Sequence, residues 1–239
     1  MNNIYIGTSG WNYKHWVRLF YPEELPAREW LGYYCRHFST VEINNSFYHL
    51  PSTETFKKWY KESPDSFIFS VKASRFITHM KKLKGTEEAT NNFLTNASYL
   101  KEKLGPILFQ LPPYWKVNAE RLVSFIDLLP KRRKYVFEFR DPSWFNDEVF
   151  NVLNSKNVAF CVHDMIRSGC PRVATGSFAY IRFHGTTSKY RGKYSQDQLA
   201  EWLSFIKECQ RGSDVYVYFN NDQNCFAVEN ARELDEMCA

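Results

Sequence analysis

The sequence predicts an α/β protein of the (β/α)8 type, a TIM barrel, and three observations lead there. Eight short apolar runs recur along 239 residues, stretches with helical spacing separate most of them, and no linker-like tract divides the chain. Strands alternating with helices build parallel sheets, and eight such units fill the roughly 250 residues a closed barrel takes. One domain over residues 1–239 is therefore expected. An open doubly wound sheet is the rival. The first run leads into "GTSGWNY" rather than a Gly-x-Gly-x-x-Gly turn, so a dinucleotide site lacks support.

The expected strands are "IYIGTS" (4–9), "TVEINN" (40–45), "FIFSVK" (67–72) and "ILFQL" (107–111), then "YVFEFR" (135–140), "VAFCVHD" (158–164), "FAYIRFH" (178–184) and "VYVYFNN" (215–221). Between them, Leu122, Phe125, Ile126 and Leu129 follow the i, i+3, i+4, i+7 rule, as do Leu199, Trp202, Leu203 and Ile206. Ser195 with Gln198 reads as a capping box for the latter helix. Thr86 before Glu87 and Glu88 reads as the start of a helix carrying Ala89, Phe93, Ala97, Leu100 and Leu104. Strands six and seven are joined by "MIRSGCPRVATG", too short and broken for a helix, so that connection is expected to be irregular.

Composition narrows the partners. Aromatic residues reach 18%, which leaves rings to spare for a ligand surface beyond those filling the core. A net charge of +5 permits anionic partners, yet the Lys and Arg residues are spread rather than clustered. A small anionic ligand is thus the leading partner and nucleic acid the lesser one. Six cysteines without a Cys-x-x-Cys pair fit reduced thiols and a cytoplasmic protein. The start "MNNIYIGTSGW" has no signal-peptide pattern, and no apolar stretch is long enough to span a membrane, so no membrane partner is expected. The oligomeric state is not legible.

Strand parity points to a site. Successive residues of a strand face opposite ways, and in a barrel one set faces the axis. If Phe137 and Phe139 face the helices, Glu138 and Arg140 face inward near the strand end. The same alternation sends Glu42, Asn44, Ser70, Lys72, Gln110, Arg182, His184, Tyr216, Tyr218 and Asn220 inward; Asp164, with the parity of Val162, is assigned there too. Seven of eight strands therefore end in inward polar groups, at the pole where barrel enzymes keep their chemistry.

Glu42 and Glu138 are candidates for acid/base work, Lys72 and His184 for proton transfer, and Arg140 and Arg182 for anion clamping. His79, Asn44, Gln110, Asp164, Asn220 and Asn221 are candidate binding residues, while Tyr48 and Trp144 stand for rim rings that could stack a sugar or base. Gly185 and the start of the final helix lie where many barrels bind phosphate through backbone N–H groups. Glu42, Glu138, Asp164 and His184 could ligate a divalent ion, but three interior cations compete for the carboxylates. Neither a metal nor another cofactor is expected.

The motifs "GTSGW", "VEINNSFY", "FSVKASRFITH", "LGPILFQLPP", "FEFRDPSW", "IRFHG" and "YFNNDQNCFAVENA" resemble, in order, those of the YecE-like family, also called domain of unknown function 72. The resemblance spans nearly the whole chain. It implies a TIM barrel and brings no reaction, substrate or cofactor with it. One departure is "DQNCFAVENA", where a Gly-containing turn would be expected after the paired Asn. The expected function is an enzyme using acid/base chemistry on a small anionic, phosphorylated or carbohydrate-like substrate. A nucleic-acid-binding or nuclease-like barrel and a non-catalytic ligand sensor are the alternatives.

Overall fold

Eight parallel strands form one sheet: β1 (Ile4–Thr8), β2 (Thr40–Ile43), β3 (Ile68–Lys72), β4 (Leu104–Gln110), β5 (Tyr135–Glu138), β6 (Ala159–His163), β7 (Phe178–Phe183) and β8 (Asp214–Phe219). The structure, a computed structural model, describes residues 2–165 and 168–238. Strand order runs β1-β8-β7-β6-β5-β4-β3-β2, which curls the sheet into a nearly closed barrel. The ladders of β3 and β4 run to their polar tips, Lys72 and Gln110, while those of β2, β5, β6, β7 and β8 stop one or two residues short of the tips seen in the sequence. The latter tips therefore stand on the first residues of loops and lean over the mouth.

A tyrosine closes the seam between β1 and β2. Tyr34 ends helix α1 (Trp30–Tyr34) and is fully buried. Its hydroxyl accepts from the Thr8 N–H at 3.0 Å and donates to the Thr40 carbonyl at 3.1 Å. Gly7 permits this approach, since a Cβ there would lie 2.2 Å from the Thr40 carbonyl oxygen. Tyr34→Phe would strand a backbone donor and acceptor in the core, a loss of about 1–3 kcal/mol. Urea unfolding of the variant measures it; an unchanged midpoint would mean that the seam closes without the hydroxyl.

Helices α2 (Thr53–Glu62), α3 (Glu87–Ala97), α4 (Ala119–Asp127), α5 (Asp147–Ser155), α6 (Gln196–Gly212) and α7 (Phe226–Cys238) surround the sheet. Their N-termini follow local chemistry: Ser195 and Gln198 form the expected capping box, and Asn118 and Asn146 accept from Arg121 and Val149 N–H groups. The helix expected from Thr86 to Leu104 is shorter. It ends at Ala97, a 3-10 segment covers Ser98–Lys103, and Leu104 opens β4. Lys101 at φ +51 breaks the period, and Thr86 makes no side-chain capping bond. Between β6 and β7 no helix forms among the described residues; Thr175 instead ties the connection to β6, accepting from Phe160 N–H and donating to the Val158 carbonyl.

Two apolar layers result. Val41, Ile43, Phe69, Val71, Phe109, Phe137, Phe139, Ile181, Phe183, Val217 and Phe219 face the helices in one continuous core. Inside the barrel, Leu108, Val136, Ala159, Cys161, Phe178, Tyr180, Tyr216 and Tyr218 pack as a second cluster. Here part of the aromatic excess is spent. A tyrosine fills interior volume with its ring and still offers a hydroxyl to the polar layer above.

Candidate functional site

That polar layer begins at two tyrosine hydroxyls. Tyr218 meets Thr40 and Ser70 at 2.7 and 2.8 Å, and Tyr180 donates to Glu42 Oε2 at 2.6 Å. Arg182 lies between the two glutamates: Nη2 donates to Glu42 Oε1 at 2.7 Å and Nη1 to Glu138 Oε2 at 2.6 Å. All three side chains are fully buried. Ser9 adds a hydroxyl to Glu42 Oε1 at 2.7 Å. Arg140 then pairs with Glu138 Oε1, and its Nη2 donates to His184 Nε2 at 2.8 Å. The sequence thus brings Glu42, Arg182, Glu138, Arg140 and His184 into one chain of contacts across the barrel.

Protonation states follow from burial and charge. Burial opposes the charge on Glu138, but Arg140 and Arg182 outweigh it and hold the carboxyl well below its usual range. Burial and the neighbouring Arg140 keep His184 well below the usual imidazole value, so it is neutral. Arginine only donates; Nε2 of His184 must therefore accept, which places the proton on Nδ1. That Nδ1 has no partner among the described residues.

Lys72, at the end of β3, sits beside this network without joining it. Its Nζ donates to Gln110 Oε1 at 2.6 Å and lies 4.3 Å from the centre of the Phe47 ring. Desolvation, reinforced by Arg182 and Arg140 against the pull of Glu138 and Glu42, lowers its pKa to about 7. His79 packs edge-on to the same Phe47 ring at 4.9 Å and bonds to Thr78; burial first and Lys72 second lower it to about 4. Asn44 reaches the Ser9 carbonyl at 3.3 Å, and its own buried Oδ1 has no partner among the described residues.

The chain matches a known family across almost its full length. The family described as "Protein of unknown function DUF72" matches residues 5–239. The chain belongs to the DUF72 family. It is 27% identical over 271 residues to UPF0759 protein YunF of Bacillus subtilis, covering 98% of this chain and 94% of that protein. UPF0759 protein YecE of Escherichia coli K12 is 34% identical over 143 residues, 59% of this chain and 50% of its own length. Among solved structures, a DUF72 family protein from Thermotoga maritima superposes at TM-score 0.89 and 28% identity, covering 99% of both chains. A DUF72 protein from Enterococcus faecalis, at 20% identity and TM-score 0.85, shows the same fold.

Within this DUF72 barrel several expected binding residues have other duties. Asp164 does not point to the axis. Cys161 lies in the interior cluster and Val162 in the outer one, so Asp164 leaves β6 on the outer parity. Its carboxylate accepts from Tyr194 Oη and the His184 N–H instead, and burial raises its pKa to about 6. The residue at the inward position is His163, absent from the sequence-derived set. It is buried, bonded to the Phe139 carbonyl at 2.8 Å, with its ring 5.8 Å from that of His184. Burial lowers its pKa to about 4.

Gly185 does not present its N–H to a phosphate, because it donates to Tyr194 Oη at 2.7 Å. It serves the loop turn instead: φ is +107°, and a Cβ would lie 2.2 Å from the Arg191 carbonyl oxygen. Trp144 is no open platform; it is fully buried, stacked on Phe139 at 4.7 Å, with Nε1 bonded to the Trp115 carbonyl. Asn221 is a buried strut from the Gly192 carbonyl to Asn230. Both terminal nitrogens of Arg182 are spent on glutamates, so it is no anion clamp. Tyr48 is the exposed rim ring, edge-on to Phe47, and Asn220 is half-buried where the chain leaves β8.

Proposed function

We propose that this barrel is an enzyme that performs acid/base chemistry on a small anionic substrate at its C-terminal mouth, with Lys72 as the proton-transferring group. One observation carries the reading. Among the described residues Lys72 is a buried amine with no carboxylate partner; an amide and an aromatic face are its company. The molecule contains its own comparison. Lys103 is equally buried but is held by the Tyr60 and Ser63 carbonyls, Ser63 Oγ and Asp65, a fully satisfied structural ammonium. A lysine kept for structure looks like Lys103.

Charge arithmetic supports an anion. Glu42 and Glu138 offset Arg182 and Arg140, which leaves the Lys72 charge unbalanced. Among the described residues, two buried nitrogens at the mouth (Arg140 Nε and His184 Nδ1) also have no acceptor. Carboxylate or phosphate oxygens answer both needs. Lys72 then works as base when neutral and as acid when charged; Gln110 fixes its direction, and His79 lies against the same Phe47 ring.

The test is a thermal-shift screen of carboxylated and phosphorylated small molecules against wild type and Lys72→Met, followed by turnover assays on the hits. A class of anions should raise the wild-type melting temperature and leave that of Lys72→Met unmoved. Anions that stabilise both proteins equally would place binding away from Lys72 and overturn the assignment.

A further inference from the structure

We infer that Lys72 is a Schiff-base lysine, whose Nζ condenses with the carbonyl carbon of a small aldehyde or ketone that also carries a carboxylate or phosphate. The inference rests on the reading of the mouth as an active site and names the substrate class for it. Two conditions make a lysine nucleophilic in a protein: removal from water, and cations close by that disfavour its charged form. Lys72 meets both. It is 8% exposed, with the Phe47 ring on one side and Arg140 and Arg182 among its neighbours. The groups that oppose the effect, Glu42 and Glu138, are tied to those arginines. The other ionisable neighbour, His79, is itself held neutral at ordinary pH.

Gln110 completes the arrangement. A single amide oxygen accepts one hydrogen of Nζ, fixing the amine without neutralising a charge on it. A carboxylate in that place would favour the charged ammonium form instead. Basicity elsewhere at the mouth is low, since His184, His163 and His79 are all depressed. Lys72 is therefore the strongest neutral nucleophile among these groups.

The chemistry balances without an oxidant or reductant. The lone pair of the neutral amine adds to the carbonyl carbon, and the C=O π pair moves to oxygen. Transfer of one N–H proton to that oxygen gives a carbinolamine. The nitrogen lone pair then forms C=N as the hydroxyl leaves; a proton from solvent makes it water. Amine, carbonyl compound and one proton thus become an iminium ion and one water. The iminium is cationic and meets the same shortage of counter-charge as the ammonium, because both glutamates are already paired. An anionic group on the substrate itself supplies that charge. This is why an oxo acid or a phosphorylated carbonyl compound fits better than a neutral one.

Glyoxylate, the smallest anionic aldehyde, is the probe. The full-length protein is mixed with glyoxylate and sodium borohydride at neutral pH, which reduces an iminium to a stable secondary amine, and labelled lysines are mapped by peptide mass spectrometry. Lys72 should label about tenfold or more faster than exposed lysines such as Lys81 and Lys116, while Lys103 stays unlabelled. Labelling of Lys72 at or below the rate of exposed lysines overturns the Schiff base. If glyoxylate or another anion still stabilises wild type but not Lys72→Met, the covalent step alone falls and the acid/base reading stands. If no anion binds in a Lys72-dependent way either, both fall.

Discussion

Arg182→Ala is expected to destabilise the barrel by about 3–5 kcal/mol, the cost of leaving buried charge uncompensated. The guanidinium is fully buried, and its two terminal nitrogens hold Glu42 and Glu138 at 2.7 and 2.6 Å. Without it, Glu42 keeps, among the described residues, the hydroxyls of Ser9 and Tyr180, while Glu138 keeps Arg140. Glu42 is thus the exposed weakness of the variant. The double variant Arg182→Ala with Glu42→Gln removes one charge of each sign, and Glu138 retains its second arginine. It should regain most of the loss, giving a coupling energy of at least about 1 kcal/mol in a double-mutant cycle. Urea titration of the four proteins measures it. A single-variant loss under about 1 kcal/mol would mean that water, not Arg182, screens the glutamates, contrary to complete burial.

The same five residues show how far sequence reasoning reaches. Where a strand has one clearly apolar face, alternation alone put Glu42, Glu138, Arg140, Arg182 and His184 together, and the contacts confirm each placement. Parity failed on β6 for a physical reason. A strand of a parallel barrel is buried on both sides, and "VAFCVHD" is apolar on both, so nothing marked which set faced the axis. His163 was lost and Asp164 misplaced by that one ambiguity. Partners distant along the chain were also invisible. Tyr194 lies nine residues beyond Gly185 and takes its N–H; Trp144 is covered by the loop of Trp115. Nor could spacing tell that, among the described residues, Lys72 would find one hydrogen-bond acceptor and Lys103 three.

Lys72→Met is expected to separate function from stability. If Lys72 carries the proton, turnover of the substrate should fall by about a hundredfold or more. Lys72→Arg should not restore it, because a guanidinium stays charged. Folding should respond in the opposite direction. In the native state the amine loses its proton near pH 7, against 10.5 for an ordinary lysine. Between those values the unfolded chain binds more protons than the folded one, so this group makes wild-type stability rise with pH. Below about pH 7 both states are protonated, and the native state bears the full cost of a buried, unpaired ammonium. Methionine, similar in length and apolar, removes that cost. The variant should therefore be the more stable protein at and below neutral pH, with the gap closing as pH climbs toward 10.5. Tyrosine and cysteine titrations at high pH are common to both proteins and cancel in the difference. Chemical denaturation of the pair across this range checks it. A gap that widens with pH, or a variant less stable than wild type at neutral pH, would mean that Lys72 has a counter-charge in the fold and is structural after all.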